Sequence, residues 1–133
     1  MVTSPAYKER VKNNPATARE KVALRTAMKN LLILYKAGVK IALGTDSGAM
    51  PIRVQGFAEH LEMELMVEAG LTPLEAIRVA TLNSAALLKR DGMAGSLEVG
   101  KQASFIVLKK DPTTNIRNTR DIRAVWVKGK VVK

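Results

Sequence analysis

Val39-Lys40-Ile41-Ala42-Leu43-Gly44-Thr45-Asp46-Ser47-Gly48 passes within ten residues from a short apolar run to a polar loop flanked by glycines. Upstream, Asn14 is a good helix cap and Pro15 suits a first helical position, while Leu24, Met28, Leu31, Leu32 and Tyr35 recur at helical spacing. Gly38 supplies a left-handed stop. This predicts one amphipathic helix of about six turns. A helix, a glycine stop, a strand over Val39–Leu43 of the kind buried on both faces, and a polar loop at its carboxyl end are the pieces of an α/β unit with parallel strands.

Downstream, residues 55–69 predict a second helix, with Phe57, Leu61, Leu65 and Met66 on one side and Glu59, Glu62, Glu64 and Glu68 mostly on the other. Spacings of three and four follow the helix surface, so these glutamates read as a solvated face. Gly70 closes the helix. Thr72-Pro73-Leu74-Glu75 is a capping box that starts a third helix running to about Ala80, and Asn83 is placed to cap a further short one through Leu88. Past Gly92, glycines and Pro112 separate strand-like runs at Ser104–Leu108, Ala124–Val127 and Lys130–Val132, the last two joined by a Lys128-Gly129 hairpin turn. Trp126 reads as core of this β-rich portion. The texture changes near residue 91, dividing the chain into 1–90 and 91–133, and residues 1–13 read as an extended arm or the end of an absent element.

The 133 residues include one His and no Cys, and 47% are hydrophobic. This length suits one core. The lack of Cys excludes thiolate catalysis, thiolate metal sites and disulfides, and a single His excludes any metal site built from several histidines of this chain. The net charge of +10 is uneven: residues 1–40 hold nine Lys/Arg against two Glu, residues 41–88 two Arg against six acids, and residues 89–133 eleven basic residues against four acids. Basic ends predict weak, salt-sensitive attraction to nucleic acid, but scattered charges and few aromatics build no base-reading platform. The longest apolar run, Leu31–Leu34, is far short of a membrane span, and residues 1–5 lack a secretion signal, so a cytoplasmic protein is expected.

The 44–48 loop lacks the Lys of a phosphate-binding loop and the glycine spacing of a dinucleotide fingerprint. It offers one carboxylate, Asp46, at the carboxyl end of a strand, where α/β proteins do their chemistry, with Ser47 and Gly48 as candidates for contact with substrate. The same Asp also reads as a cap for its own turn. His60 reads either as a residue that orients substrate or a neighbouring loop, or as a helix His bonded to a carboxylate or carbonyl.

The stretches Val39–Gly48, Glu59–Gly70, Leu71–Ile77 and Ala80–Asn83, followed by Gly95–Lys101, Ala103, Asp111-Pro112 and Val127–Val131, resemble in order the last part of the metal-dependent amidohydrolases. They resemble in particular the imidazolonepropionase and prolidase-like branch. The resemblance implies an α/β fold: a partial (β/α)8 barrel with Val39–Leu43 as its eighth strand, then a small β-rich C-terminal segment, the share that residues 91–133 contribute to a composite β-domain. It makes Asp46 the ligand of a divalent metal, zinc by expectation, and the acceptor of a proton from the metal-bound water that attacks an amide, ester or related bond.

The family's HxH pair, bridging Lys and two later His ligands match nothing in this sequence, and Ser104 stands where the family usually has Asp. Asp46 is therefore expected to hold metal only with ligands from a missing barrel segment or another chain. No cofactor and no activity are expected of this chain by itself, and its expected partner is that segment or a second copy. The competing reading is a non-catalytic, self-associating interaction module with basic ends.

Overall fold

The computed structural model of the protein describes residues 4–49 and 54–132. The Ser4 hydroxyl accepts a hydrogen bond from the Tyr7 amide at 3.2 Å and Pro5 takes the first helical position. Residues expected as an arm thus wind into α1 (Pro5–Lys12), a helix with no buried residue, because local capping suffices to start it. The Asn14 side chain accepts from the Ala16 amide at 2.9 Å and opens α2 (Ala16–Lys36). Bonds from Gly38 N to the Tyr35 carbonyl and from Val39 N to the Leu34 carbonyl close α2 in a Schellman motif.

α3 (Ala58–Glu68) and α4 (Pro73–Arg78) follow, the latter behind the expected capping box, in which the Thr72 and Glu75 side chains each bond the other's backbone. The helix does not break near Ala80. It widens into a π-turn (Val79–Asn83) and continues as α5 (Ser84–Leu87). Asn83 therefore caps nothing with its side chain, and its Nδ2 donates to the Ile41 carbonyl at 3.1 Å. The Ser84 hydroxyl donates to the Val79 carbonyl at 2.9 Å and accepts from the Leu43 amide at 3.1 Å.

The bonds from Asn83 to the Ile41 carbonyl and from the Leu43 amide to Ser84 replace what a sheet would have supplied. The strand expected over Val39–Leu43 enters no ladder: residues 39–46 lie outside the sheet, and no described strand runs beside them. A β-ladder requires a neighbour on at least one edge, so the segment satisfies backbone groups with helix side chains instead.

The β-rich portion forms an antiparallel sheet in the order β1 (Phe105–Leu108), β2 (Ile122–Val127), β3 (Lys130–Val131). Phe105 pairs with Trp126 and their rings stack with centroids 5.6 Å apart. Lys128 (φ +52°) and Gly129 (φ +78°) are both left-handed, as a two-residue turn of type I′ demands.

One core serves both portions. Met63, Met66, Leu71, Ala76 and Val79 are buried with Ile116, which comes from the 3-10 turn Ile116–Arg120 between β1 and β2. Leu31, Leu32 and Tyr35 of α2 pack on this cluster with Ile41 and Leu43, whereas Leu24, Ile33 and Leu34 of α2 remain exposed. Around Ile116 the contact is polar. Glu64 pairs with Arg120 at 2.6 Å and Arg117 at 3.3 Å, and Arg120 lies over the Phe57 ring. His60 Nδ1 lies 2.9 Å from Thr119 Oγ1, whose own proton goes to the Ile116 carbonyl. With that proton spent, His60 Nδ1 is the donor in this contact.

Two outcomes follow from this packing. A Cβ on Gly95 (φ +93°) would meet Ala85 Cβ at 2.6 Å and the Leu82 Cα at 3.1 Å, whereas one on Gly100 (φ +90°) would meet nothing within 4 Å. Urea denaturation should therefore show Gly95→Ala costing about 1–3 kcal/mol more than Gly100→Ala, since backbone strain is shared and only the clash differs. Burial, and after it the Arg120 charge, hold the His60 imidazole below its ordinary value of 6.5. A folded pKa below the unfolded one means that the unfolded chain binds more protons, so this contribution is complete above about pH 6.5 and declines as pH falls through and below it. Denaturation midpoints should show that decline, and His60→Gln should flatten it.

Candidate active-site loop

Asp46 sits in left-handed backbone (φ +52°) and is exposed, while Thr45 and Ser47 on either side are half-buried. Both neighbours turn their hydroxyls to one carboxylate. Thr45 Oγ1 donates to Glu59 Oε1 at 3.2 Å, and Ser47 Oγ to the same oxygen at 2.5 Å. The other oxygen, Oε2, accepts the Gly56 amide at 2.7 Å. The Ser47 hydrogen bond above all holds the Glu59 carboxyl below the usual carboxylate range. Within the loop, the Ser47 amide donates to Thr45 Oγ1 at 3.2 Å and the Ala49 amide reaches the Asp46 carbonyl at 3.4 Å.

Gly48 is required where it stands. Its φ is +87°, a backbone conformation that glycine adopts without cost, and the end of the flexible Gln55 side chain lies over it, with Nε2 2.8 Å from where a Cβ would stand. The Gln55 side chain reaches across to Gly48, and Glu59 bridges the same two stretches by bonding Ser47 on one and Gly56 on the other.

Three of the residues singled out from the sequence, Asp46, Ser47 and Gly48, form this loop together. His60 is not with them: its ring bonds Thr119 of the 3-10 turn. The glutamates do not form the solvated face that their spacing suggests. Glu59 holds the loop, Glu64 pairs with two arginines, and Glu62 lies between α2 and α3, where burial pushes its carboxyl up. Only Glu68 of the four is exposed. Helical spacing cannot separate a solvated carboxylate from one facing a distant hydroxyl or guanidinium, so Glu59 carried no signal of its role beyond its place near the helix start.

The residues present do not fit a complete metal centre. Among the described residues no three His, Cys, Asp or Glu side chains lie together so as to hold an ion. The oxygens of Glu59 already accept three hydrogen bonds, and the His60 ring is turned to Thr119 and away from the loop. A separate cleft of about 680 Å³ lies between the helices and the sheet, lined by His60, Met63, Leu97, Phe105, Thr119 and Trp126 among others. None of Asp46, Ser47 or Gly48 lines it.

Residues 2–132 match the model of the amidohydrolase family. Ochratoxinase of Aspergillus niger is 38% identical over 103 residues, which cover 74% of this chain and 20% of that protein. Imidazolonepropionase of Bacteroides fragilis is 42% identical over 85 residues, covering 59% of this chain and 18% of that one. A crystal structure of a Xaa-Pro dipeptidase with bound methionine in the active site superimposes with a TM-score of 0.75 at 31% identity, over 94% of this chain and 31% of the dipeptidase. The chain thus spans about a fifth to a third of the proteins it matches. Because one family model covers nearly every residue and the relatives named are those of the imidazolonepropionase and prolidase-like branch, the chain belongs to the amidohydrolase family, in that branch.

Proposed function

We propose that this chain supplies the last-strand carboxylate of a metal-dependent hydrolase of amide and related C–N bonds, and that it is inactive without the other strands of the barrel. The observation that carries the reading is Asp46 itself: an exposed aspartate in left-handed backbone, flanked by glycine-bounded hydroxyl residues that a part-buried hydrogen-bond network ties down. A carboxylate fixed in this way can accept a proton from a water attacking a carbonyl carbon. The names of the relatives, among them a dipeptidase and an imidazolonepropionase, support C–N bond chemistry. That no three His, Cys, Asp or Glu side chains lie together among the described residues supports dependence on another segment for a divalent metal, with zinc the expected ion.

Exposed apolar side chains on α2 (Ile33, Leu34), at the end of α5 (Leu87) and after it (Leu88, Leu97, Val99) support association with such a segment or with a second copy. The purified chain should therefore sediment above its 14.5 kDa monomer mass. A folded monomer at micromolar concentration would contradict this. Weak nucleic-acid attraction by the basic ends is part of the proposal only as a salt-sensitive side effect.

Activity is tested in two steps. The chain alone should hydrolyse amide and ester substrates no faster than buffer, and calorimetry should show no micromolar one-to-one Zn²⁺ binding. A chimera carrying residues 14–133 in place of the matching segment of the Aspergillus niger ochratoxinase should hydrolyse that enzyme's substrate, and Asp46→Asn in it should lower kcat by about 100-fold or more. A folded, active chimera indifferent to Asp46→Asn would overturn the role of Asp46.

A further inference from the structure

We propose that Glu59 is the positioning residue of the Asp46 loop: its carboxylate, by accepting the hydroxyls on both sides of Asp46 and the Gly56 amide across the loop, sets the direction in which Asp46 presents its side chain. The inference rests on the hydrolase reading only in taking Asp46 as the reacting carboxylate.

The geometry has three parts. First, a non-glycine residue at φ +52° stores strain, and such a conformation persists only where its surroundings over-determine it. Second, the determinants are adjacent to the strained residue on both sides, because Thr45 and Ser47 each donate to the same Glu59 oxygen at 3.2 and 2.5 Å. With residues 45 and 47 anchored to one point, the peptide planes on either side of Asp46 have little freedom left. Third, the anchor is itself rigid. Glu59 stands in the first turn of α3, one residue from the buried contacts of His60 with Thr119, and its second oxygen is taken by Gly56 N at 2.7 Å. A carboxylate ionised throughout the neutral range and filled with three donors has no reason to leave this pose. Glu59 touches no reacting atom in this scheme; it acts through Thr45 and Ser47.

The test reads the loop directly in the 133-residue chain by nuclear magnetic resonance. In the wild type, the Asp46 backbone coupling should report its positive φ, and its side-chain couplings should report one χ1 rotamer. Glu59→Ala should average both and raise the amide exchange of Ser47 and Gly56 by about tenfold or more, the loss of one or two charge-assisted hydrogen bonds, while Met63 and Val79 keep their protection. Glu59→Gln is the rescue. Its amide still reaches both hydroxyls in either orientation, so Asp46 should keep its φ and rotamer. In case Glu59→Ala fails to fold, the Thr45→Val/Ser47→Ala double variant removes the donors instead and should release Asp46 while Gly56 stays protected. Unchanged Asp46 couplings in Glu59→Ala or in the double variant would overturn the proposal, as would release in Glu59→Gln equal to that in Glu59→Ala. None of these readouts requires turnover, so the hydrolase reading can fail in the ochratoxinase chimera while this one stands, and the reverse.

Discussion

The hydroxyl of Ser84 holds two parts of the molecule together. It donates to the Val79 carbonyl, five residues back in the π-turn, and accepts the Leu43 amide from the segment that leads into the Asp46 loop. A π-turn inserts a residue into the helix and displaces the backbone bonds around it, and such turns recur at functional sites because they redirect neighbouring groups. Here the displacement places Ser84 and Asn83 where they meet Leu43 and Ile41. Two hydrogen bonds to a segment outside any sheet fix its register against the helices, and Ile41 and Leu43 then pack on the core around Val79.

The loop beyond Leu43 inherits its position from that anchorage and its shape from α3. That helix makes three different contacts within eight residues. Glu59 at its start faces the loop, Met63 and Met66 enter the core, and His60 and Glu64 reach the turn 116–120. Rotation or fraying of α3 would alter all three together. The Asp46 loop and the sheet-bearing portion are therefore coupled mechanically through one short helix, although no residue of the 680 Å³ cleft beside the sheet belongs to the loop.

The chain belongs to the amidohydrolase family, yet among the described residues no three His, Cys, Asp or Glu side chains lie together so as to hold a metal. The contacts that shape the loop are local: Glu59, Thr45, Ser47, Gly48 and Gly56 all lie within fifteen residues of one another. Metal binding is not local, since it needs ligands converging from separate strands.

The sequence by itself determined the features whose causes lie within a few residues. Asn14 and Gly38 bound α2, Thr72 and Glu75 start α4, and Lys128-Gly129 turns β2 into β3, because caps and tight turns are satisfied by near neighbours in the chain. The order of motifs likewise carried the family and located Asp46, Ser47 and Gly48. The tertiary structure alone decided what depends on distant partners. Val39–Leu43 has the composition of a strand, but pairing is a property of two segments, and among the described residues helix side chains stand where a second strand would be. Glu59, Glu62 and Glu64 are alike in spacing and chemistry, and one holds a loop, one is desolvated and one pairs with arginines, because what faces each carboxylate comes from elsewhere in the chain. A helix sets the direction in which a side chain leaves; only the packed fold sets what it meets.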